Sequence, residues 1–313
     1  MTRILTRSDL LAALDPESCA AALRDGFRRA DSVAVPGQRI RTDLPFPGTA
    51  TALIPGLLPG IDAYTVKVNA KFPGASPALR GVICLHSARD GELLGLLDSA
   101  TITAWRTGLA AALGTHLLAV PSDGTVVGVI GAGAQAELMV RGLRSLRPFA
   151  GLVVYDTDPD RAATFASAHG GRALASAPEV AAAADIVLLA TWSRTPLLGL
   201  ADARPGQHFT TLGADEPGKQ ELAADLLASS LLVVDNRELA ASMGALAAAG
   251  LPATAADATL GEILRAEHPG RTDASSATVY APVGLPWQDL ALSWLAYRQA
   301  EEQGLGTEID LLA

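Results

Sequence analysis

The feature that most limits what this chain can fold into is a short apolar run ending in a glycine-rich turn. Val126–Ile130 is followed by Gly131-Ala132-Gly133-Ala134-Gln135-Ala136, and a helical pattern begins inside that turn. In a strand-turn-helix setting Gly131 permits the tight turn, Gly133 lets a pyrophosphate approach the backbone, and Ala136 takes the position of close packing. The first helical turn, with Ala134 and Gln135, then presents N–H groups and the positive end of its dipole to an anion. Asp156 ends the next apolar run, 25 residues after Gly131. A carboxylate there binds both hydroxyls of an adenosine ribose and repels a 2′-phosphate. Thr157 and Asp158 follow with no Arg beside them, so the pattern predicts a site for NAD rather than NADP. Asp158 itself reads as the N-cap of a helix opened by Pro159.

Further unbroken apolar runs cover residues 152–156, 186–191, 208–213 and 231–235. Runs that do not alternate are expected in a parallel sheet covered by helices on both faces, and residues 135–146 and 159–168 supply helical patterns between them. The fold class is therefore α/β: a Rossmann-type doubly wound parallel sheet. Earlier in the chain the pattern differs. Residues 64–71 alternate, with Tyr64, Val66, Val68 and Ala70 on one face and Thr65, Lys67, Asn69 and Lys71 on the other, which reads as a half-buried strand. Residues 82–86 and 92–97 flank Asp90-Gly91, a hairpin signal because this pair accepts positive φ. A helix is expected over 102–118, with Ile102, Trp105, Leu109 and Leu113 as its apolar stripe. The polar turn Pro121-Ser122-Asp123-Gly124 marks a boundary. Residues 1–120 form a smaller α+β domain completed by a helix from the tail, 286–313, and residues 121–285 form the nucleotide domain.

Composition narrows the function classes. With 313 residues, 49% hydrophobic and 18% charged, the chain is long enough for two domains with cores of their own and is not a disordered polymer. A net charge of −9 argues against a nucleic-acid or anionic-membrane surface. No apolar run approaches the roughly 20 residues that span a bilayer, and a cytoplasmic location is expected. Cys19 and Cys84 have no metal-ligand spacing and read as reduced, buried thiols, so no metal is expected.

Four stretches, taken together, resemble one family. They are Asp98-Ser99-Ala100-Thr101-Ile102-Thr103-Ala104-Trp105-Arg106-Thr107, the glycine-rich turn itself, Ala190-Thr191-Trp192-Ser193, and Gly213-Ala214-Asp215-Glu216-Pro217-Gly218-Lys219-Gln220-Glu221-Leu222. In order and spacing, over about residues 39–306, they resemble the ornithine cyclodeaminase/mu-crystallin family. The resemblance implies an NAD(P)-binding domain, an N-terminal domain completed by the C-terminal helix, a homodimer formed through that domain, and chemistry at the α-carbon of a small amino acid or cyclic imino acid.

Hydride chemistry at Cα needs the substrate carboxylate clamped and a group that moves protons at nitrogen. Arg39 and Arg41 lie two apart on an extended segment, Lys67 is on the polar face of its strand, and Arg106 is in the first turn of its expected helix, where a cation opposes the dipole. Alone, each reads as a solvated charge. The resemblance puts Arg39, Lys67 and Arg106 on the carboxylate, with Arg106 also near the cofactor and Arg41 in reserve. Asp215 lies past a strand end, at the edge where such folds bind ligands. Alone it reads as a turn residue; the resemblance makes it the acid/base. Lys219 is then assigned to the same loop or to substrate, and Thr191, Leu212 and Gly213 to the cofactor. Where relatives carry a Ser two places before a Gly, this chain has Pro282-Val283-Gly284, and Pro lacks both hydroxyl and N–H. Val283 stands there as a substrate-side candidate.

Three readings follow, of which the first, a cyclodeaminase, is the leading expectation, and Asp156 supports it because a recycled NAD suits such a cycle. In a cyclodeaminase, NAD oxidises Cα, the side-chain amine closes on the iminium, ammonia leaves and hydride returns, as in conversion of ornithine to proline. In a cyclic-imine (ketimine or pyrroline-2-carboxylate) reductase or an amino-acid dehydrogenase, the same site runs net redox. A non-catalytic ligand binder of the mu-crystallin type fits less well with Arg39, Lys67, Arg106 and Asp215 all present.

Overall fold

The computed structural model describes residues 1–30, 40–44, 50–72, 79–214, 218–311 and 313. The non-alternating runs after Thr125 become parallel strands. They are β7 (Val126–Ile130), β8 (Gly151–Tyr155), β9 (Arg172–Ala173), β10 (Ile186–Leu189), β11 (His208–Thr211), β12 (Leu231–Val234), β13 (Ala258–Thr259) and β14 (Thr278–Tyr280). Their order is β13-β12-β14-β11-β10-β7-β8-β9, and every pairing is parallel.

Alternate residues of one strand enter two separate cores, which is why both parities must be apolar. On β10, Ile186 and Leu188 pack with Val127, Val129 and Val154, while Val187 and Leu189 pack with Phe209, Leu232 and Val234. The first core is closed by Met139, Val140 and Leu143 of α4 (Ala134–Leu146) and by Phe165 of α5 (Pro159–Ala168). The second is closed by Val180 of α6 (Ala177–Ala183) and Leu226 of α7 (Ala224–Ala228). Several strands end a residue or two before the apolar run does. Asp156, Thr191, Gly213 and Asp235 have left the ladder at its carboxyl edge, where such sheets bind ligands. β14 was not foreseen: three residues, two of them Thr and Tyr, give no pattern of their own, and they form a strand because β11 and β12 flank them.

This sheet belongs to a compact unit of Gly108–Gly284; Met1–Thr107 with Leu285–Ala313 form the other. The division falls inside α3 (Ser99–Leu118), not at the polar turn after it.

The first unit is a mixed seven-stranded sheet of order β15-β1-β6-β5-β4-β3-β2, made of β1 (Thr2–Leu5), β2 (Ile40–Asp43), β3 (Ala50–Gly56), β4 (Ala63–Lys71), β5 (Leu79–Ser87), β6 (Leu93–Asp98) and β15 (Thr307–Ile309). Only β1 with β6 is parallel. The Asp90-Gly91 hairpin is present, with Gly91 at φ +80°. α11 (Pro286–Gln303) packs on β3, β4 and β5 and on α2 (Pro16–Arg29), with Trp287 edge-on to Phe27 at 4.9 Å. Cys19 is buried and Cys84 half-buried, both free, and burial pushes both thiols up.

Two expectations for this unit change. α3 begins at Ser99 rather than 102, because the Asp98 carboxylate accepts from Thr101 N (2.9 Å) and Ala100 N (3.4 Å) and caps it. Arg106 thus lies beyond the first turn, and the dipole argument for an anion there loses its force. The faces of β4 are also reversed. Thr65, Lys67 and Asn69 are buried, while Tyr64, Val66 and Ala70 are half-buried and Val68 is exposed. Alternation marks two faces, but it does not say which one the helix covers.

Candidate active site

In the nucleotide unit, Gly131 has φ +91° and donates its N–H to Tyr155 O (2.9 Å). A Cβ there would meet Ala190 O at 2.6 Å, so conformation and space both demand glycine. Gly133 is the N-cap of α4, with no side-chain cap and open space where a Cβ would stand. The first N–H groups of a thirteen-residue helix are thereby left to an external acceptor. Ala134 and Gln135 form that turn, Gln135 Oε1 has no hydrogen-bond partner among the described residues, and Ala136 is buried against the sheet.

Asp156 sits beside this turn. Its Oδ2 accepts from Ala132 N (2.8 Å) and its Oδ1 from Asp158 N (2.9 Å). Asp158 caps α5 as expected, accepting from Asp160 N and Arg161 N. The expectation that no Arg stands beside this acid is overturned. The first turn of α5 brings Arg161 back, with Nη1 3.4 Å from Asp156 and Nη2 3.2 Å from Asp158. A cavity of about 490 Å³ opens here, lined among others by Gly131, Gly133, Asp156, Arg161, Thr191 and Trp192. Glycine turn, uncapped helix, acid and cavity fit a dinucleotide.

The far wall of the cavity depends on a residue that was quoted in the sequence but given no role. Glu221 is buried, with Oε1 accepting from Thr191 N (2.6 Å) and Oγ1 (2.7 Å), and Oε2 from Thr211 Oγ1 (2.6 Å) and Gly213 N (2.7 Å). Burial pushes its pKa up, and the four donors oppose that rise. Leu212 is buried and bonds Leu189 O through its N–H (2.9 Å). Lys219 is buried and lies over the Trp192 ring at 4.3 Å, while Trp192 is 61% exposed. Val283 and Gly284 both donate backbone N–H to Asp235 Oδ2, at 3.0 and 2.6 Å. Asp215 lies outside the described residues.

The other unit holds the second cluster. Across the covered face of its sheet runs a row of paired residues, Ile54, Lys67, Ile83 and Leu97, in which one cation interrupts an apolar series. A buried ammonium needs a partner. Lys67 Nζ bonds Asp289 Oδ2 at 2.5 Å, and Arg106 Nε bonds Asp289 Oδ1 at 3.2 Å. Gln288 Oε1 accepts from Arg106 Nη1 (3.4 Å) and Leu285 N (3.3 Å). Burial alone would raise the Asp289 pKa, but the adjoining Lys67 and Arg106 charges hold it below the ordinary carboxylate range. Arg41 lies on β2 opposite Ala52, its side chain outside the described residues, as is all of Arg39. Asp289 and Gln288, which bond the two cations, are not singled out by the sequence reading. Their signal was available: an amide and an acid within Trp287-Gln288-Asp289-Leu290, a helical stretch otherwise set for burial.

Among the described residues no cluster of metal-ligating side chains occurs, and no helix is long and apolar enough to cross a membrane. The fold and the glycine-turn cavity define a dinucleotide-binding α/β protein whose separate mixed-sheet unit carries a buried cationic cluster. Comparison with known proteins narrows this: the chain belongs to the ornithine cyclodeaminase/mu-crystallin family, whose model matches residues 2–304. It is 32% identical to a putative dehydrogenase of Rhizobium meliloti, over 99% of this chain and 100% of that one. It superposes on Thermococcus litoralis Δ1-pyrroline-2-carboxylate reductase, solved with NADH and L-proline, with a TM-score of 0.91, 26% identity, and 98% and 100% of the two chains covered. A lysine cyclodeaminase structure gives a TM-score of 0.88, 26% identity, and 99% and 95% coverage. The family's members are NAD-dependent enzymes of cyclodeaminase and of imine-reductase or dehydrogenase type, and the nearby structures support a nicotinamide cofactor.

Proposed function

We propose that this protein catalyses nicotinamide-dependent hydride transfer at the α-carbon of a small α-imino or α-amino carboxylate, with net redox, as an imine reductase working reversibly as an amine dehydrogenase. The observation that carries this reading is the convergence of Lys67 and Arg106 on Asp289 in a buried cluster. Two cations held rigid by one acid, with Gln288 bonded to Arg106, are pre-oriented to receive a substrate carboxylate. When bound, the nicotinamide supplies or accepts the hydride at Cα. Lys67 and Arg106 hold the carboxylate so that the C=N carbon has one orientation, with Arg39 and Arg41 as further candidates for the same anion. As the C=N pair moves to nitrogen, Asp215 delivers the proton that completes the amine, and in the reverse direction it removes that proton. Lys219 supports the loop carrying Asp215, and Val283 borders the substrate.

On the cofactor side, Gly131, Gly133, Ala134, Gln135 and Ala136 receive the pyrophosphate, Asp156 the adenosine ribose, and Thr191, Leu212 and Gly213 the nicotinamide half. Arg106 is assigned to both carboxylate and cofactor. NAD is favoured over NADP because two acids, Asp156 and Asp158, stand with the one cation Arg161 at the ribose position.

The net-redox form is preferred to a cyclodeaminase on the similarity to Δ1-pyrroline-2-carboxylate reductases in sequence and fold, and Asp289, an acid bonded to both Lys67 and Arg106, is engaged by the two cations. The cyclodeaminase is the second reading, favoured by the similarity to lysine cyclodeaminase. The test is purified protein with NADH and Δ1-pyrroline-2-carboxylate, and in parallel NAD with ornithine, lysine and alanine, following NADH, ammonia and cyclic product together. Stoichiometric NADH consumption with proline formation supports the proposal. Ammonia and a cyclic amino acid without NADH accumulation select the cyclodeaminase.

The working molecule is a homodimer in this proposal. Ile40, Leu53, Val68 and Val82 pair in register across four strands, so they share one sheet face, and the first three are exposed. An apolar row of this kind in a monomer marks a contact surface. A second copy of the same uncharged row is its self-complementary partner, as a two-fold interface requires.

A further inference from the structure

The segments 191–198 and 220–223 are joined by a series of backbone bonds. Gln220 N donates to Ser193 O (2.9 Å), Leu197 N to Glu221 O (2.8 Å) and Ala223 N to Leu198 O (2.9 Å), and Leu198 bridges Leu222. At the centre is Glu221, 1% exposed, whose carboxylate takes four hydrogen bonds from three residues. Two of the donors are backbone N–H groups, of Thr191 at the end of β10 and Gly213 at the end of β11. A Cβ on Gly213 would lie 2.5 Å from the Glu221 carboxyl carbon, so glycine is what lets the acid come this close. Thr191, Trp192, Ser193 and Leu197 all line the dinucleotide cavity, whereas Glu221 itself does not.

We infer that Glu221 is the positioning residue of the cofactor seat. One buried carboxylate pulls the ends of two adjacent strands together, sets the Thr191 hydroxyl and the backbone that carries Trp192, and thereby shapes the cavity wall without touching the cofactor. An apolar residue at this place would leave two backbone N–H groups and two hydroxyls buried without this acceptor. What an apolar core could not supply is a fixed direction for two N–H groups and two hydroxyls at a ligand-binding edge.

The inference rests on the reading of this cavity as the nicotinamide-dinucleotide site, and the experiment separates the two. NADH binding to the full-length protein is measured by energy transfer from tryptophan to the reduced nicotinamide, in wild type, Glu221→Gln and Thr211→Val. Glu221→Gln turns one acceptor oxygen into a donor facing a donor. Thr211→Val removes one bond to Glu221 from a residue outside the cavity lining. The expected result is at least a tenfold rise in NADH Kd for Glu221→Gln and a threefold or greater rise for Thr211→Val, each with the far-ultraviolet spectrum of wild type. Both variants binding NADH within twofold of wild type, whatever their unfolding midpoints, overturns the inference and leaves Glu221 a structural acid. If Glu221→Gln does not fold, Thr211→Val alone decides by the same criterion. Wild type that binds neither NADH nor NADPH refutes the cofactor reading itself.

Discussion

Replacing Asp289 with Ala removes the carboxylate that two buried cations share. In the wild type Lys67 is 1% exposed and Asp289 2% exposed, so water cannot stand in for the lost acid. Deleting one partner of a buried ion pair costs about 3–5 kcal/mol, because the remaining charge is left uncompensated. Here the bonds to Lys67 at 2.5 Å and to Arg106 at 3.2 Å are both lost, and the loss falls within that range, about 3–5 kcal/mol. Urea denaturation at neutral pH reads it directly, as a fall in midpoint with an unchanged slope. The acid limb offers an independent check. The folded-state pKa of Asp289 is depressed, so its contribution is fully present above the ordinary carboxylate range and disappears as pH falls through the lowered folded value. Wild type and Asp289→Ala should therefore differ by a constant amount through mild acid and converge only below that range. A loss under about 1 kcal/mol at neutral pH, the value of a solvent-exposed pair, would refute the picture of a dry cluster.

Three other expectations follow from single contacts. His208 is buried between Thr278 Oγ1 (2.7 Å) and Thr210 Oγ1 (2.9 Å), and burial, with Arg271 and Arg147, lowers its pKa to about 3. The unfolded chain takes up a proton below about pH 6.5 while the folded chain does not, so stability should fall by about 2 kcal/mol between pH 6.5 and 4.5; a His208→Gln variant whose urea midpoint shows the same acid slope would contradict this. Arg161→Ala removes a cation bonded to Asp156 and Asp158, and should raise the ratio of kcat/KM for NADH over NADPH several-fold; an unchanged ratio would take Arg161 out of cofactor selection. Val68→Lys places charges in the exposed apolar row, and light scattering should find the dimer weakened or lost, with a monomeric wild type as the opposing result.

The parts of this molecule that were legible in the sequence are those whose cause is local. The turn at Gly131 needs positive φ, Asp158 and Pro159 cap and open their own helix, and the parallel strands announce themselves because both parities are apolar. What was not legible depends on partners distant along the chain. Lys67 and Asp289 are 222 positions apart, and nothing in either segment names the other. The same blindness explains β4: its period of two was evident, but the buried face is the one carrying Thr65, Lys67 and Asn69, because α11 brings an acid to that side. Arg161 was overlooked for a geometric reason. It is five residues from Asp156 in sequence, yet the turn into α5 folds it back to 3.4 Å. Glu221 lay within a recognised run, but its four donors come from two strand ends that only the sheet brings side by side.

The central proposal, net hydride transfer at an α-carbon held by Lys67 and Arg106, is tested most directly by mixing the purified protein with NADH and Δ1-pyrroline-2-carboxylate and measuring NADH and proline in the same samples. The account predicts one proline formed for each NADH consumed, with the rate falling at least a hundredfold in Lys67→Met. No consumption of NADH with this or other α-imino acids, together with ammonia release from ornithine under catalytic NAD, would contradict it.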